Sequence, residues 1–415
     1  MASIRRFGKI ALGLFGLGIT AVGVLFTFAP HPPATPKQVQ EIAELEAHLE
    51  GLVASGNPPG LSIAVVKDGE LVYHQAFGMA DGPRGKRATV DTVYHWWSMT
   101  KIATAIAILQ LHERGQLGLD NPVEQYLPWF AVQYPAASSQ PITLRHLLNH
   151  SSGLPDTVPA MLGWVHYDDG ARSQTELVKH HLPRFNKLRF EPGSKAIYSN
   201  LNYMVLGAVI EGVSGRSYEE FVTENVLKPL RMEQTGFVYS EAMAAHEAAG
   251  SLPVVHFYTP LLPFLLDTGE LIREQQKGVF WFNRLYIDVT PPTGLISPVS
   301  DVARLMLAYL NGGELDGARI LSPQSIALMT NESHVPGEGP NMAAYTGGQH
   351  GLGWYVIPHG EQMRYQHHGA GPGFATTMRL YPEQGLGIAI LANGTDLDRD
   401  GLVDRLAEVD WKASP

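Results

Sequence analysis

The sequence predicts an α/β (α+β) fold in which a sheet is assembled from both ends of the chain and a helical stretch is set between its halves. Three observations carry this. Strand-rich runs stand near the start of the body, at Leu61–Val66 and Leu71–Phe77. Strand-like runs return late, at Gly353–Ile357, Thr376–Tyr381 and Gly387–Leu391. Between them the apolar spacing is mostly helical, an order that implies a sheet domain interrupted by a helical one.

Composition bounds the rest. The chain has 415 residues, 45% hydrophobic and 17% charged, with no cysteine. That balance is globular and excludes disorder over most of the length. It also excludes a disulfide scaffold, cysteine-ligated zinc or iron–sulfur sites, and a cysteine nucleophile. The length predicts two or three domains, or one large domain with an insertion. A net charge of −10 argues against nucleic acid as a partner.

The elements follow in order. Arg5, Arg6 and Lys9 precede an uncharged apolar run from Ile10 to Ala29. Twenty helical residues span about 30 Å, the thickness of a bilayer core. A cleaved signal has a shorter apolar core and a small-x-small site, and here Thr27-Phe28-Ala29 runs straight into Pro30. Residues 1–29 therefore read as a cytoplasmic tip and transmembrane anchor. The catalytic body would lie outside the cytoplasm, and would be secreted if the segment is cleaved. Residues 30–37 are a stiff proline-rich linker.

Residues 38–415 form the body, with sheet halves at about 38–120 and 290–415 and a helical insertion at about 121–289. Gln38–Leu52 reads as a helix with Val39, Ile42, Leu45 and Leu49 on one face. Asp68-Gly69 between the first two strands is a hairpin signal. Ile102–Leu111 is a long apolar helix closed by Gly115. Leu144–Leu148, Leu177–His181, Tyr203–Val213 and Tyr218–Val226 are further helical pieces. Residues 252–289 are aromatic and proline-broken. They read either as packing under a long loop or as an apolar surface resting on a bilayer, and no part of them is long enough to span one.

Three short motifs could carry chemistry. Ser98 precedes the long apolar helix and can cap it, and Lys101 lies one turn on, on the same face. A desolvated lysine loses its proton readily and can activate a serine. Tyr198 could shuttle a proton to a leaving group, and Asn200 offers an amide to a substrate carbonyl. If residues 367–370 run as a strand, His367 and Gly369 share a face where a substrate can lie against the backbone. The Ala370 N–H could then pair with the Ser98 N–H as an oxyanion hole.

Ser-x-x-Lys, Tyr-x-Asn and His-x-Gly stand in the order of the motifs of penicillin-binding proteins and β-lactamases. Longer text carries the likeness: WWSMTKIATAIAILQLHERGQLGLDNPVEQYLP, ITLRHLLNHSSGLP, FEPGSKAIYSNLNYMVLGAVIEGVSG, PTGLISPVSDVARLM and HHGAGPGFATTMRLYPEQGLGIAILANG. Over roughly residues 40–400 the chain resembles the class C β-lactamase-type serine hydrolases, a group that includes D-aminopeptidases and family VIII carboxylesterases. The resemblance implies a five-stranded antiparallel sheet flanked by helices with an inserted helical domain. It implies Ser98 as nucleophile, Lys101 as base, Tyr198 sharing proton transfer, Asn200 and the His367–Gly369 triplet binding substrate, and the amides of Ser98 and Ala370 as oxyanion donors. It implies no cofactor.

His367 stands where many penicillin-recognising members carry Lys. Histidine is mostly neutral at pH 7 and should gain charge as pH falls through about 6.5. This favours ester hydrolysis over D-amino-acid peptide cleavage and β-lactam hydrolysis. A non-turnover acyl-binding receptor is the alternative of another class.

Other candidates carry less. His146 and His150 have zinc-like i, i+4 spacing but lack the glutamate of H-E-x-x-H. Asp396–Gly401 resembles the start of a calcium loop, but Ala407 stands where a bidentate Glu is needed. These aspartates are expected to cap a C-terminal helix, and no metal is expected.

Overall fold

A computed structural model describes residues 33–39, 41–135, 140–156, 164–170, 172–331, 335–340 and 342–411. The segment expected to anchor the chain, 1–29, lies outside the described residues. Among the described residues no helix is long and apolar enough to cross a membrane.

The main sheet has eight strands, where five were expected. From the N-terminal side come β1 (Gly60–Lys67), β2 (Glu70–Asp81) and β3 (Lys86–Arg87). From the C-terminal side come β4 (Gln349–His350), β5 (Tyr355–His359), β6 (Gln362–Gly371), β7 (Phe374–Tyr381) and β8 (Leu386–Ala392). Their order is β4-β5-β6-β7-β8-β1-β2-β3, with every neighbour pair antiparallel. The two chain ends therefore meet at β1–β8, where Leu61 pairs with Ala392 and Lys67 with Leu386. The extra strands are mostly short edge pieces: β3 and β4 have two residues each. Such brief edges leave little unpaired backbone to recruit another sheet.

The Asp68-Gly69 turn joins β1 to β2 with φ of 51° and 87°. Positive φ at both turn positions matches the twist of the flanking strands, which is why Asp-Gly serves here.

On the sheet, α1 (Ile42–Ala54) and α5 (Arg399–Glu408) cover one face and α4 (Val299–Leu310) the other, while α2 (Thr100–Glu113) and α3 (Asn200–Ser214) pack on one another within the larger core. Strand periodicity assigns the layers. Leu61, Ile63 and Val65 of β1 pack with Leu45 and Leu49 of α1 and Leu402 and Leu406 of α5. The alternate residues Ala64 and Val66 belong to the larger core, with Val302 and Met306 of α4. Within that core, α2 is buried from Thr100 to Leu111 and α3 from Asn200 to Ile210. A helix buried all round explains why neither sequence shows a polar face.

The stretch expected as helical also carries a three-stranded antiparallel sheet, with Val279–Phe282 between Ser251–Pro253 and Ile272–Gln276. Lys277 and Gly278, with φ of 50° and 78°, make the turn of its hairpin.

Candidate active site

Ser98 does not cap α2. Trp97–Met99 form a short 3-10 turn, the helix begins at Thr100, and no side chain caps it. Trp97 takes a left-handed φ of 49°, which is uncommon for a bulky residue. The Ser98 hydroxyl is thereby left to side chains. Lys101 Nζ lies 3.2 Å from Ser98 Oγ.

Lys101 is wholly buried at the base of the site. Its Nζ donates to Asn200 Oδ1 at 2.8 Å and to the Pro292 carbonyl at 2.9 Å. Burial holds its pKa well below the ordinary lysine value, with Asp156 opposing part of that shift. Pro292 reaches the lysine because α3 carries Gly207, where a Cβ would lie 2.2 Å from the Pro291 ring. That missing side chain lets the Thr290–Thr293 turn sit between α2 and α3, and Thr104 fixes it by donating to the Pro291 carbonyl at 2.7 Å.

Tyr198 is nearly buried, and its pKa is pushed well above 10 by burial, with the Tyr355 hydroxyl adding to the rise. Its hydroxyl is neutral in the resting protein and able to donate. The Lys101 ammonium nitrogen stands 4.8 Å from its ring centroid.

Asn200 faces the lysine with its carbonyl oxygen. Its Nδ2 donates to Asp156 Oδ1 at 3.1 Å, and the same oxygen accepts from the Asn200 backbone N–H at 3.1 Å. One side-chain N–H remains for a substrate carbonyl.

His367 and Gly369 also differ from the sequence reading. His367 is buried and stacks on Tyr355 at 4.8 Å between centroids. Burial, with the nearby Lys101 second, drives its pKa well below 6.5, so it carries no charge that titrates near neutrality. Gly369 has its absent side chain against the nucleophile turn: a Cβ would lie 1.9 Å from the Trp96 carbonyl oxygen. Gly371 similarly leaves room for the Trp97 ring, 2.2 Å from a would-be Cβ. Glycine serves close approach of β6 to residues 96–98, and Thr376 secures the contact by donating to the Trp96 carbonyl at 2.9 Å. β5 pairs with β6 only from Gln362 to Gln366, so β5 leaves the edge of residues 367–371 uncovered. Ala370 is exposed there.

Sequence reasoning missed three contributors. His150, weighed as a zinc ligand, sits in left-handed backbone with φ of 62°, and its ring lies 4.5 Å from the Tyr198 ring, tilted by 35°. Its Nδ1 accepts the Ser199 N–H at 3.2 Å and its carbonyl accepts the Ile197 N–H at 3.0 Å, so it grips the chain on both sides of Tyr198. His146 instead accepts the Thr143 N–H in a capping box. Asp156 and the Pro292 carbonyl are the other two. The run GLPD and the doublet PP were visible, but nothing local ties them to Lys101. Asp398 accepts the Gly401 N–H at 3.0 Å as a helix cap, and no metal-holding cluster stands among the described residues.

The geometry now has a family. The profile of the Beta-lactamase family matches residues 45–410, and the chain belongs to that family. Among curated proteins it is similar to Protein flp of Staphylococcus aureus, 27% identical over 352 residues, which are 84% of this chain and 62% of that protein. It is similar also to Penicillin-binding protein 4* of Bacillus subtilis, 27% identical over 80% of this chain and 67% of the relative. The chain thus spans a little under two thirds of the first of these. Among solved structures, the D-amino acid amidase of Ochrobactrum anthropi superposes with a TM-score of 0.71 at 22% identity, covering 89% of this chain and 98% of the amidase. The octameric penicillin-binding protein homologue of Pyrococcus abyssi gives 0.67 at 26% identity, over 86% and 74%.

Proposed function

We propose that this protein is a serine hydrolase that works through an acyl-serine intermediate on Ser98, with esters as its preferred substrates. One observation carries the reading: the arrangement of acceptors around Lys101. In its neutral form the amine has two N–H bonds and one lone pair. Asn200 Oδ1 and the Pro292 carbonyl can only accept, so they take the two N–H bonds. The lone pair is left facing the Ser98 hydroxyl at 3.2 Å. Lys101 takes the serine proton as Oγ bonds the substrate carbonyl carbon. The N–H groups of Ser98 and Ala370 hold the oxyanion. As the intermediate collapses, Tyr198 gives its proton to the departing alkoxide and is reprotonated from Lys101. Water, activated by the same pair, then releases the acid and frees Ser98.

The ester preference rests on His367. Held neutral by its burial, it offers no fixed charge to a substrate carboxylate. The body is proposed to stand outside the cytoplasm on a membrane anchor formed by residues 1–29. The exposed Phe257, Tyr258, Leu261 and Phe264 support contact of that part of the chain with lipid.

Turnover of p-nitrophenyl esters, nitrocefin and a D-aminoacyl amide, measured side by side, tests the reading. Faster turnover of the esters is expected. Faster turnover of nitrocefin or the amide contradicts the preference, and stable acylation without turnover identifies a receptor instead.

A further inference from the structure

A cavity of about 380 Å³ opens beside the candidate oxyanion residue, walled by Trp97 and Ala370 on one side. Its other walls come from the aromatic, proline-broken stretch and its neighbours: Leu252, Leu262, Leu266, Phe282 and Val165. At roughly 30 Å³ for each water-sized group, the space takes about a dozen such groups. Two charged side chains also line it, and each is held by a hydrogen bond. Arg399 donates to the Gly369 carbonyl at 2.8 Å, and Asp396 accepts from His256 at 2.5 Å. Most of the lining side chains are apolar, and such a lining asks for hydrocarbon. The rim continues into exposed apolar side chains, Leu265 at 38% and Phe264 at 86% exposure, so a chain can enter without crossing a polar barrier.

We propose that this cavity is an acyl-chain subsite, and that the substrates are esters of medium-length linear fatty acids. The inference rests on the serine-hydrolase reading above. With the ester carbonyl at Ser98 and its oxygen toward the Ala370 N–H, the acyl chain runs past Ala370 and Gly371 into the space between Trp97 and Leu266. Each methylene that leaves water there strengthens transition-state binding about fourfold.

The test uses the full chain and p-nitrophenyl acetate, butyrate, hexanoate and octanoate, so that only the acyl part varies. The expected result is a kcat/KM that climbs about fourfold per methylene until the cavity is full. Leu266→Trp, which fills the cavity, is expected to lower the octanoate-to-acetate ratio at least tenfold. Val165→Phe fills it from another lining position and gives an independent reading should Leu266→Trp fail to fold. Stoichiometric labelling by a fluorophosphonate certifies that each variant keeps a competent serine. A wild type that turns over acetate as well as octanoate overturns the subsite and leaves the hydrolase standing. An unchanged ratio in a filled, labelled variant does the same. A wild type that shows neither ester turnover nor labelling overturns the hydrolase reading itself, and the subsite with it.

Discussion

Gly369 and Trp96 touch backbone to backbone: the place of a Gly369 Cβ lies 1.9 Å from the Trp96 carbonyl oxygen. This contact sets β6 against the turn that presents Ser98, and so sets the distance between the two candidate oxyanion amides. Gly369→Ala must push the strand and the turn apart. A kcat/KM loss of at least ~100-fold is expected, since a displacement of about 1 Å at a reacting centre costs that much. Stability should fall by ~1–3 kcal/mol. Gly51, on α1, has nothing within 4 Å of a would-be Cβ, and Gly51→Ala should stabilise by ~0.5–1 kcal/mol with activity unchanged. Thermal melts and ester kinetics on the two variants check the contrast, and an active Gly369→Ala protein contradicts it.

His150 holds the Tyr198 segment through an acceptor nitrogen and a left-handed backbone. Asn tolerates that backbone and offers an acceptor oxygen, whereas Ala does neither. His150→Ala is therefore expected to lose roughly tenfold or more in kcat with little change in KM, and His150→Asn to recover most of it. Equal losses in the two variants would show that the ring itself, and not the grip on Ser199, is what Tyr198 needs.

How much of this was legible depends on how local each cause was. The β1–β2 hairpin was readable because Asp68 and Gly69 carry their own turn chemistry. The apolar run of α2 was readable because burial all round needs no partner to be recognised. The role of Ser98 was half readable: its spacing to Lys101 is local, but the left-handed Trp97 before it, whose ring packs against Gly371, is not. Most of β6 escaped because Gln362–Tyr365 is half-buried throughout, and its polar–apolar alternation is too short to mark a strand by itself. Lys277-Gly278 was an overlooked hairpin signal. The Pro292 carbonyl, 191 residues from Lys101, and the Asp156 carboxylate reach the site through tertiary packing alone.

Asp156 raises the Lys101 pKa while burial lowers it further. The protonated lysine cannot accept the Ser98 proton, so kcat/KM should fall on the acid side as Lys101 protonates. Asp156→Asn keeps an oxygen for Asn200 but removes the negative charge, which lowers the Lys101 pKa. The acid limb should therefore move to lower pH in the variant. A pH–rate profile on a neutral ester reads the shift, and movement to higher pH would contradict the assignment of Lys101 as base.

His367 gives a different pH prediction from the one its residue type suggested. Because burial and Lys101 keep it neutral well below pH 6.5, it should gain no charge between about pH 8 and about pH 6. The ratio of kcat/KM for a carboxylate-bearing ester to that for a neutral ester is expected to stay flat across this range. A rise of roughly fivefold or more as pH falls through 6.5 would mean that His367 is solvated and reaches the substrate.

The central claim is that Ser98, activated by Lys101, is the nucleophile. Peptide mapping after reaction with a fluorophosphonate tests it most directly. The wild type should carry one adduct, on Ser98. The Ser98→Ala protein should carry none and have lost ester turnover while melting within a few degrees of the wild type, and Lys101→Met should label far more slowly. An adduct on another serine, or full turnover by Ser98→Ala, would contradict the account.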